Sequence, residues 1–597
     1  MRSRQSDFPL ERAFFARPAS KIRVPLVARD IHLSRRVNVL RLVLKPSVGS
    51  KTPLSSGVDF AQNRVSEEVL FLTRAIGVVV ALIVLCSGWT NYRVQAATLK
   101  LNVHDENGKP IPCRVSIRPA QGEPIVPEGA VTLPIGNDVW FYSSGNANVD
   151  VPPGSVEIRA ERGIEYERVK TSIEVGDGTN LSVVVLRRWI DMRSRGYLCG
   201  ENHLLIDADP LAAMLVGEGL DFGSMIQWWN NRLKTAPRGS GAIRNLEFAG
   251  RAVPTSIFDA EVEHAWGVAC LQNLPTSLPF ENEPGASNLA IVRHARQAGA
   301  VISYQGGYSP QVALDALLGY VDIVHVCNNN FHMHRFQPRR RYSNLLSIPD
   351  FPEYENSAEG MMRLNTESYY RLLNWGLKLG AGAGTSAGVK QVPVGYNRAY
   401  VRCDANDSIG DFYDAWAKGK NFVTNGPMLF LQTADGRRPG DTIDLAGNAR
   451  HVPIRARVHS DQPLTSVELI VNGNVVHRHE PKQANEAEFA SRVAVPEGGW
   501  LCARCTARDD LLSDKELGAY ANGKSQQPSR LRFAHTSPIY VTVDGKAAAV
   551  QSSVNEGLQM LEALRAFSRK HATAESLPPI MDAISEAESK LRKRLSE

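Results

Sequence analysis

The chain has 597 residues, enough for about three or four domains of ordinary size. Hydrophobic residues make up 43% and charged residues 22% of it, a composition that excludes a collagen, a wholly disordered chain and a polytopic membrane protein. The net charge of +6 arises in the first 97 residues, which carry 15 Lys and Arg against 6 Asp and Glu, whereas residues 98–597 carry 53 against 56. Because the excess positive charge belongs to the leader, we expect no nucleic-acid partner.

The N-terminal segment combines a basic leader with one apolar run. Residues 1–73 are rich in Arg, Ser and Pro, and we expect them to be disordered or to precede the true translation start. The apolar residues 75–89 follow a basic residue and precede the small pair Ala96-Ala97. This pattern is typical of a signal peptide, with a single-pass membrane anchor as the alternative for residues 74–97. We therefore expect a secreted or periplasmic protein, or a membrane-anchored one whose only membrane contact is this segment.

Residues 98–187 show the period-two pattern of short strands. Leu99, Leu101 and Val103 alternate with polar residues, and an Asn-Gly turn follows at Asn107. The run NVHDENGKPIPCRVSI, residues 102–117, resembles the prealbumin-like or carboxypeptidase-regulatory sandwich modules of secreted bacterial proteins. We expect a small β-sandwich that stabilises or spaces a neighbouring domain.

The remaining chain divides into three parts. Residues 188–425 contain helix-length segments followed by short apolar runs, which predicts an α/β domain with mostly parallel strands. Strand-like alternation returns in residues 426–545 and predicts a second β-sandwich. Residues 546–597 carry apolar side chains at helical spacing on both sides of Pro578-Pro579, which predicts a helical hairpin.

Five stretches of the α/β region, in order along about 240 residues, resemble one enzyme family. The first three are RGYLCGENHLL at 195–205, AEVEHAWG at 260–267 and ARQAGAVI at 295–302. The fourth is the succession of YYRLLNWG at 369–376, AGTSAG at 383–388 and PVGYNRAYV at 393–401, and the fifth is GKNFVTNGP at 419–427. They resemble the PHP (polymerase and histidinol phosphatase) metallohydrolases of the CehA/McbA-like type, whose first motif is Gly-Asp-Leu-His-x-His. The resemblance implies an α/β fold with a PHP-like (β/α) barrel between the two β-sandwiches, followed by the helical hairpin. It also implies metal-dependent hydrolysis of ester, amide or phosphoester bonds.

In that family a ring of His, Asp and Glu at the strand ends holds divalent metals that activate water. His203 matches the first His of the motif, and Glu261 lies in the stretch that resembles the strand bearing a metal-ligand Glu. His332-Met333-His334 is an H-x-H whose two side chains would point to one side of a strand, with an exposed loop as the alternative. His325 lies within an apolar strand, and we expect it to be structural. The candidate ligands for zinc, manganese or iron are therefore His203, Glu261, His332 and His334.

A second set of residues is predicted to contact substrate. Trp228, Trp229 and Asn230 follow a predicted strand, where aromatic rings either stack on a ligand or pack in the core. The family motifs imply the same role for three residues further along the chain, Ser386, Tyr396 and Arg398. We expect these residues to bind a small-molecule or carbohydrate-like ligand in the cleft of the barrel.

Three positions depart from the family pattern. Leu205 stands where the second His belongs, Gln305 and its neighbours replace a His-bearing strand end, and Ser386 replaces an Asp. A Leu cannot bind a metal, and a Ser hydroxyl is a poor substitute for a carboxylate. Three functions therefore stay open. The first is a hydrolase with an altered or lost metal site, and the second is a catalytically inactive envelope protein that binds a ligand or partner through the same fold. The third is a mainly structural envelope protein whose β-sandwiches and C-terminal helices make its contacts.

Overall fold

The structure is a computed structural model. It describes residues 97–233, 239, 241–281, 286–338, 353–446, 450–520, 526–547 and 549–594. The predicted leader at 1–73 and nearly all of the predicted signal or anchor at 74–97 lie outside the described residues. Within the described ranges, no helix combines the length and the apolar character needed to cross a bilayer.

The first eight strands form two sheets with a shared core. A three-stranded sheet has the order β5-β1-β8, and a five-stranded sheet has the order β3-β4-β2-β6-β7. Leu99 and Leu101 of β1 lie in one apolar cluster with Val115 and Val156 of the larger sheet. The strands are β1 Ala97–His104, β2 Cys113–Pro119, β3 Thr132–Ile135, β4 Asp138–Ser143, β5 Asn146–Val151, β6 Gly154–Glu161, β7 Val169–Val175 and β8 Thr179–Val185.

The middle of the chain contains twelve described strands and five described α-helices. A short 3-10 helix, Arg193–Arg195, precedes them. The strands are β9 Tyr197–Gly200, β10 Gly223–Trp229, β11 Ile243–Phe248, β12 Arg251–His264, β13 Gly267–Gln272, β14 Val301–Tyr304, β15 Ile323–Cys327, β16 Phe331–His332, β17 Arg335–Phe336, β18 Gly380–Ala383, β19 Arg398–Arg402 and β20 Asn421–Thr424. The helices are α1 Ala208–Gly217, α2 Leu289–Gln297, α3 Val312–Leu317, α4 Ala358–Asn374 and α5 Ile409–Ala417.

One mixed sheet of the middle region carries the candidate site. Its strand order is β10-β12-β13-β14-β15-β18, and β11 pairs with β12. β12 pairs antiparallel with β13, and β13 pairs antiparallel with β14, whereas β14, β15 and β18 run parallel. Side chains on both faces of these strands are buried, so a polar residue placed here faces protein rather than bulk water.

The predicted α/β fold with a (β/α) barrel is wrong. Strands account for 41% of the structure and helices for only 21%. The strands β11, β12 and β13 follow one another through tight turns instead of helices. Ala249 and Gly250 both have positive φ, of 51° and 73°, as in a two-residue hairpin turn whose twist matches the flanking strands. The sequence interpretation overlooked these hairpins and treated the whole region as alternating helices and strands.

The C-terminal strands also do not form a separate sandwich, as that fold class required. A ten-stranded sheet contains the path β22-β30-β27-β29-β20-β19-β9, so β20 and β19 of the middle region hydrogen-bond into it. A second sheet has the order β21-β23-β26. The strands are β21 Met428–Thr433, β22 Thr442–Leu445, β23 His451–His459, β24 Leu464–Val471, β25 Asn474–His479, β26 Glu486–Ala494, β27 Gly499–Arg508, β28 Gln527–Pro528, β29 Leu531–Thr536, β30 Ile539–Val543 and β31 Lys546–Ala547.

Three further helices complete the described chain: α6 Asp514–Gly518, α7 Gln551–His571 and α8 Leu577–Lys593. The indole of Trp375, which follows α4, donates a 2.7 Å hydrogen bond to the carbonyl of Ser553 on α7. Ile580, Ile584 and Leu591 of α8 are buried in the same core cluster as Trp375. The two last helices are therefore packed on the body of the protein.

Candidate metal centre

A His, a Glu and a Cys from three segments of the chain lie close together at the mixed sheet. Ligand atoms of His203, Glu261 and Cys270 all lie within 4.8 Å of one another, and all three residues are buried. His203 comes shortly after β9, whereas Glu261 and Cys270 are directly opposed across the antiparallel β12–β13 pair. Opposed residues of such a pair project from the same face of the sheet. The group could hold a metal ion, since imidazole, carboxylate and thiolate are all metal ligands.

Gln305 connects two members of the group. Its Nε2 atom lies 2.6 Å from Nδ1 of His203 and 3.1 Å from Sγ of Cys270. On the opposite side of the imidazole ring, Nε2 of His203 lies 3.1 Å from Oε2 of Glu261. The Gln305 amide therefore sets the orientation of the His203 ring, which is the role of the outer hydrogen-bond partner of a metal-bound His.

Several polar atoms around the group are buried and have no hydrogen-bond partner among the described residues. They are Oδ1 of Asn202, Oε1 of Gln272, Oε1 of Gln305 and both ring nitrogens of His325. The rings of His203 and His325 are 6.4 Å apart between centroids. Buried polar groups in native proteins nearly always find a partner, so such a concentration of unsatisfied atoms indicates a site for an ion or water.

Gly384 allows the two imidazoles to approach. A Cβ atom at this position would lie 2.6 Å from Cβ of His203 and 3.0 Å from Cε1 of His325. Real Cβ atoms essentially never come closer than about 3.0 Å to another heavy atom, so any larger residue would displace one of the rings. The absence of a side chain at Gly384 thus keeps His203 and His325 beside each other.

Glu201 fixes the segment that follows Gly384. Its buried carboxylate accepts hydrogen bonds from the backbone and hydroxyl of Thr385 and from the backbone N–H of Gly395. Burial raises the pKa of Glu201 to about 7, although these hydrogen bonds favour the charged form. Next in the chain, Ser386 adopts a left-handed φ of 58° and begins a turn. The hydrogen bonds of Glu201 therefore fix the conformation of the loop around Ser386.

One side of the group is apolar. Leu205 and Ile226 form a small cluster with Cys270, and Trp229 packs against it. The backbone N–H of Leu205 donates a 2.8 Å hydrogen bond to the carbonyl of Ala387, which fixes its position. Leu205, at the position where the resemblance predicts a second His, thus contacts the group of His203, Glu261 and Cys270, which we call the metal group because it could hold a metal ion.

Further charged residues lie on the other side of the metal group, next to Glu261. Glu263 lies two residues beyond Glu261 on the same face of β12 and is half-buried. Its carboxylate accepts hydrogen bonds from the indole of Trp229, at 3.1 Å, and from Asn231, at 2.7 Å. Burial raises the pKa of Glu263, and the charge of Glu261 adds to this effect. The half-buried Lys390 donates a 2.9 Å hydrogen bond to Gln337, and burial lowers its pKa.

The predicted metal ligands are not all brought together. His203 and Glu261 belong to the group, whereas His332 and His334 do not. His332 is buried, with Nε2 at 2.8 Å from the carbonyl of Asn329, and His334 is buried with Nδ1 at 3.5 Å from Asp509. Burial lowers the pKa of each to about 3. The alternative interpretation of this segment as an exposed loop does not fit that burial.

The predicted substrate-contacting residues are likewise dispersed. Trp228 is buried and donates to the carbonyl of Leu233, whereas Asn230 and Glu263 exchange hydrogen bonds of 2.8 and 3.0 Å. The ring of Tyr396 lies under the guanidinium of Arg532 at 4.8 Å. Arg398 is buried and donates to the carbonyls of Gly395 and Glu218. Of the six, Trp229 is next to the metal group, and Ser386 lies in the loop held by Glu201.

The sequence motifs did not identify Cys270, and they predicted only a structural role for His325. Cys270 could have been found from the hairpin, because Glu261 and Cys270 are each four residues from the turn at Ala265-Trp266. His325 was assigned a structural role from its apolar strand, yet its ring faces His203 and both its nitrogens lack partners in the described structure. The spacing of residues along the chain does not predict the contact between His203 and His325, because the two residues come from segments that only the fold brings together.

Comparisons with known proteins identify no relative: no family model matches the chain, and no curated protein or solved structure matches it. The resemblance to PHP metallohydrolases stays a prediction from the motifs.

Proposed function

We propose that this protein is a metal-dependent hydrolase of ester, amide or phosphoester bonds, with an altered metal site formed by His203, Glu261 and Cys270. The observation that supports it is the meeting of these three ligand types among buried polar atoms that lack partners. The apolar run before residue 97 supports a secreted or periplasmic location, with membrane anchoring as the alternative. A small-molecule or carbohydrate-like substrate would approach on the side of Glu263, which is only half-buried.

Zinc fits this donor set better than manganese or iron. A thiolate is a soft ligand that favours zinc, whereas manganese prefers carboxylate and carbonyl oxygens. Three protein ligands also leave one position of a tetrahedral zinc open, which is the arrangement of catalytic zinc sites. When bound, zinc supplies Lewis acidity and lowers the pKa of a bound water toward neutrality.

The residues around the ligands have defined tasks in this proposal. If Nε2 of His203 held the metal, Nδ1 would carry the ring proton. Rotation of the Gln305 amide would then let the unpartnered Oε1 accept a hydrogen bond from Nδ1. His325 offers a ring nitrogen for a hydrogen bond to substrate or water at the site.

The second candidate is a catalytically inactive protein that binds a ligand or partner. Burial of all three ligands and the apolar contact of Leu205 with Cys270 favour this alternative, because a hydrolase must admit water and substrate. In this case a metal at the group would be structural, as in closed zinc sites.

The metal content of the full chain, purified without chelators, tests the proposal. We expect near-stoichiometric zinc by inductively coupled plasma mass spectrometry. Zinc should be lost in His203→Ala, Glu261→Gln and Cys270→Ser but retained in Cys199→Ser, a buried thiol that contacts the carbonyl of Gly219 instead. Absence of metal after reconstitution would overturn the metal site. Stoichiometric zinc without turnover of 4-nitrophenyl acetate, a 4-nitroanilide or 4-nitrophenyl phosphate would favour the inactive binding protein.

A further inference from the structure

A basic cavity lies on the outer face of the β21–β23–β26 sheet, and none of its residues belongs to the metal group. Phe430 is paired with Arg457, and Gln432 is paired with Arg455, across β21 and β23. The intervening residues Leu429, Leu431, Ala456 and Val458 are buried. Strand alternation therefore turns the two arginines outward beside an aromatic ring.

Two more arginines come from outside this sheet. Arg195 ends the 3-10 helix before β9, and its guanidinium carbon lies 5.7 Å from the centroid of the Phe430 ring. Arg438 comes from the loop after β21. Together they enclose a cavity of about 180 Å³. Its lining residues are Arg195, Tyr197, Phe430, Leu431, Gln432, Arg438, Arg455 and Arg457.

The positive charge of this cavity is only partly balanced. Arg455 and Arg457 share one carboxylate, Glu488, at 3.4 and 2.8 Å. Arg195 and Arg438 have no ion pair among the residues that the structure describes, and both are exposed. The described lining of this concave site thus has four guanidinium groups and no carboxylate, and Glu488 is the one carboxylate that forms ion pairs with them among the described residues.

We propose that this cavity binds the anionic substituent of an acidic sugar. Guanidinium groups pair with carboxylate, phosphate and sulfate through parallel charge-assisted hydrogen bonds. The cavity has the volume of roughly six waters at about 30 Å³ each, so it admits one such group with a few attached carbon atoms. The rings of Phe430 and Tyr197 offer an apolar surface for those carbons.

An adjoining cavity supports a sugar rather than a free anion. This larger cavity has a volume of about 510 Å³ and shares Gln432 and Arg455 with the first. Ser491 and Arg492 also line it. Amide, hydroxyl and guanidinium groups suit the hydroxyls of a sugar, because each hydroxyl both donates and accepts hydrogen bonds. The anionic substituent would lie in the smaller cavity and the sugar hydroxyls in the larger one.

Calorimetric titration of the full chain with four probes tests this proposal. We expect saturable binding of glucuronate and glucose 6-phosphate, no binding of glucose, and weaker binding of inorganic phosphate than of glucose 6-phosphate. Raising the salt concentration should weaken binding, because exposed charges are screened. Absence of binding for both acidic sugars would overturn the proposal, as would equal affinity for inorganic phosphate and glucose 6-phosphate.

Variants of the exposed arginines locate the site. Arg195→Gln and Arg438→Gln should each weaken binding by about tenfold, the loss expected for one charge-assisted hydrogen bond. Arg437→Gln is the matched control, because Arg437 is an exposed neighbour that faces Asp435 at 3.9 Å and does not line the cavity. Equal affinity of all three variants would overturn the assignment. In the wild-type chain, glucuronate should also protect Arg195 and Arg438 from phenylglyoxal, as read by peptide mass spectrometry, and unprotected modification would contradict the proposal.

Discussion

Replacement of Leu205 by His tests whether a fourth ligand at this position increases the affinity of the metal group for zinc. Leu205 is 7% exposed and contacts Cys270, so an imidazole here would lie beside His203, Glu261 and Cys270. Loss of the buried leucine should cost the metal-free protein about 2 to 3 kcal/mol of stability. Loss of an outer hydrogen-bond partner alone changes metal affinity by about 10 to 100-fold, so a further direct ligand should gain about a hundredfold.

The two effects have opposite signs in the presence of metal. At free zinc of about one hundred times the wild-type Kd, binding stabilises the wild type by about 2.7 kcal/mol and a variant of hundredfold higher affinity by about 5.4 kcal/mol. The gain of about 2.7 kcal/mol offsets the lost burial. In thermal unfolding, L205H should therefore melt below the wild type with a chelator present and close to it in zinc.

A polar control separates ligation from burial of a polar group. Leu205→Gln carries a similar burial cost without an imidazole, so zinc should stabilise it no more than it stabilises the wild type. If zinc raises the melting temperature of L205H by no more than that of L205Q, residue 205 does not face the metal group and the reasoning is refuted.

Two further predictions concern contacts of the metal group, and a third concerns a buried carboxyl group elsewhere in the structure. Gln305→Glu should strengthen zinc binding, because a carboxylate accepts a hydrogen bond from His203 Nδ1 more strongly than an amide does. Gln305→Leu should weaken zinc binding about 10 to 100-fold, as measured by competition with a zinc indicator. Equal zinc affinity of the two variants would contradict the role of Gln305. Gly384→Ala should reduce bound zinc and destabilise the fold by about 1 to 3 kcal/mol, because its Cβ would collide with His203, whereas Gly410→Ala, whose Cβ would be 3.5 Å from its nearest neighbour, should do neither. Asp315, on α3, is fully buried and accepts hydrogen bonds from the hydroxyl of Tyr304 and the amide of Gln311. Burial raises its pKa to about 7, from about 3.9 in the unfolded chain, so the folded state binds the extra proton and stability falls as the pH rises between these values. Asp315→Asn, which stays neutral, should remove up to about 4 kcal/mol of that decline in urea unfolding, and an unchanged pH dependence would refute the assignment.

Local sequence determined which side chains face the core within single elements. Leu99, Leu101 and Val103 alternate along β1, and all three are fully buried. Ile580, Ile584 and Leu591 recur at helical spacing along α8 and are also buried. These patterns are local because the periods of a strand and of a helix relate residues only a few positions apart.

The tertiary structure decided how the strands pair and therefore what the candidate site contains. Alternation cannot identify the neighbour of a strand, so the sequence interpretation replaced the β11–β12–β13 meander with parallel strands and helices. The same limit explains why His203 and Glu261 were selected from motifs whereas Cys270 and His325 were not. Cys270 meets Glu261 through the register of the β12–β13 hairpin, and His325 meets His203 from a segment distant in the chain; in both cases the fold, not the residue type, brings the side chains together.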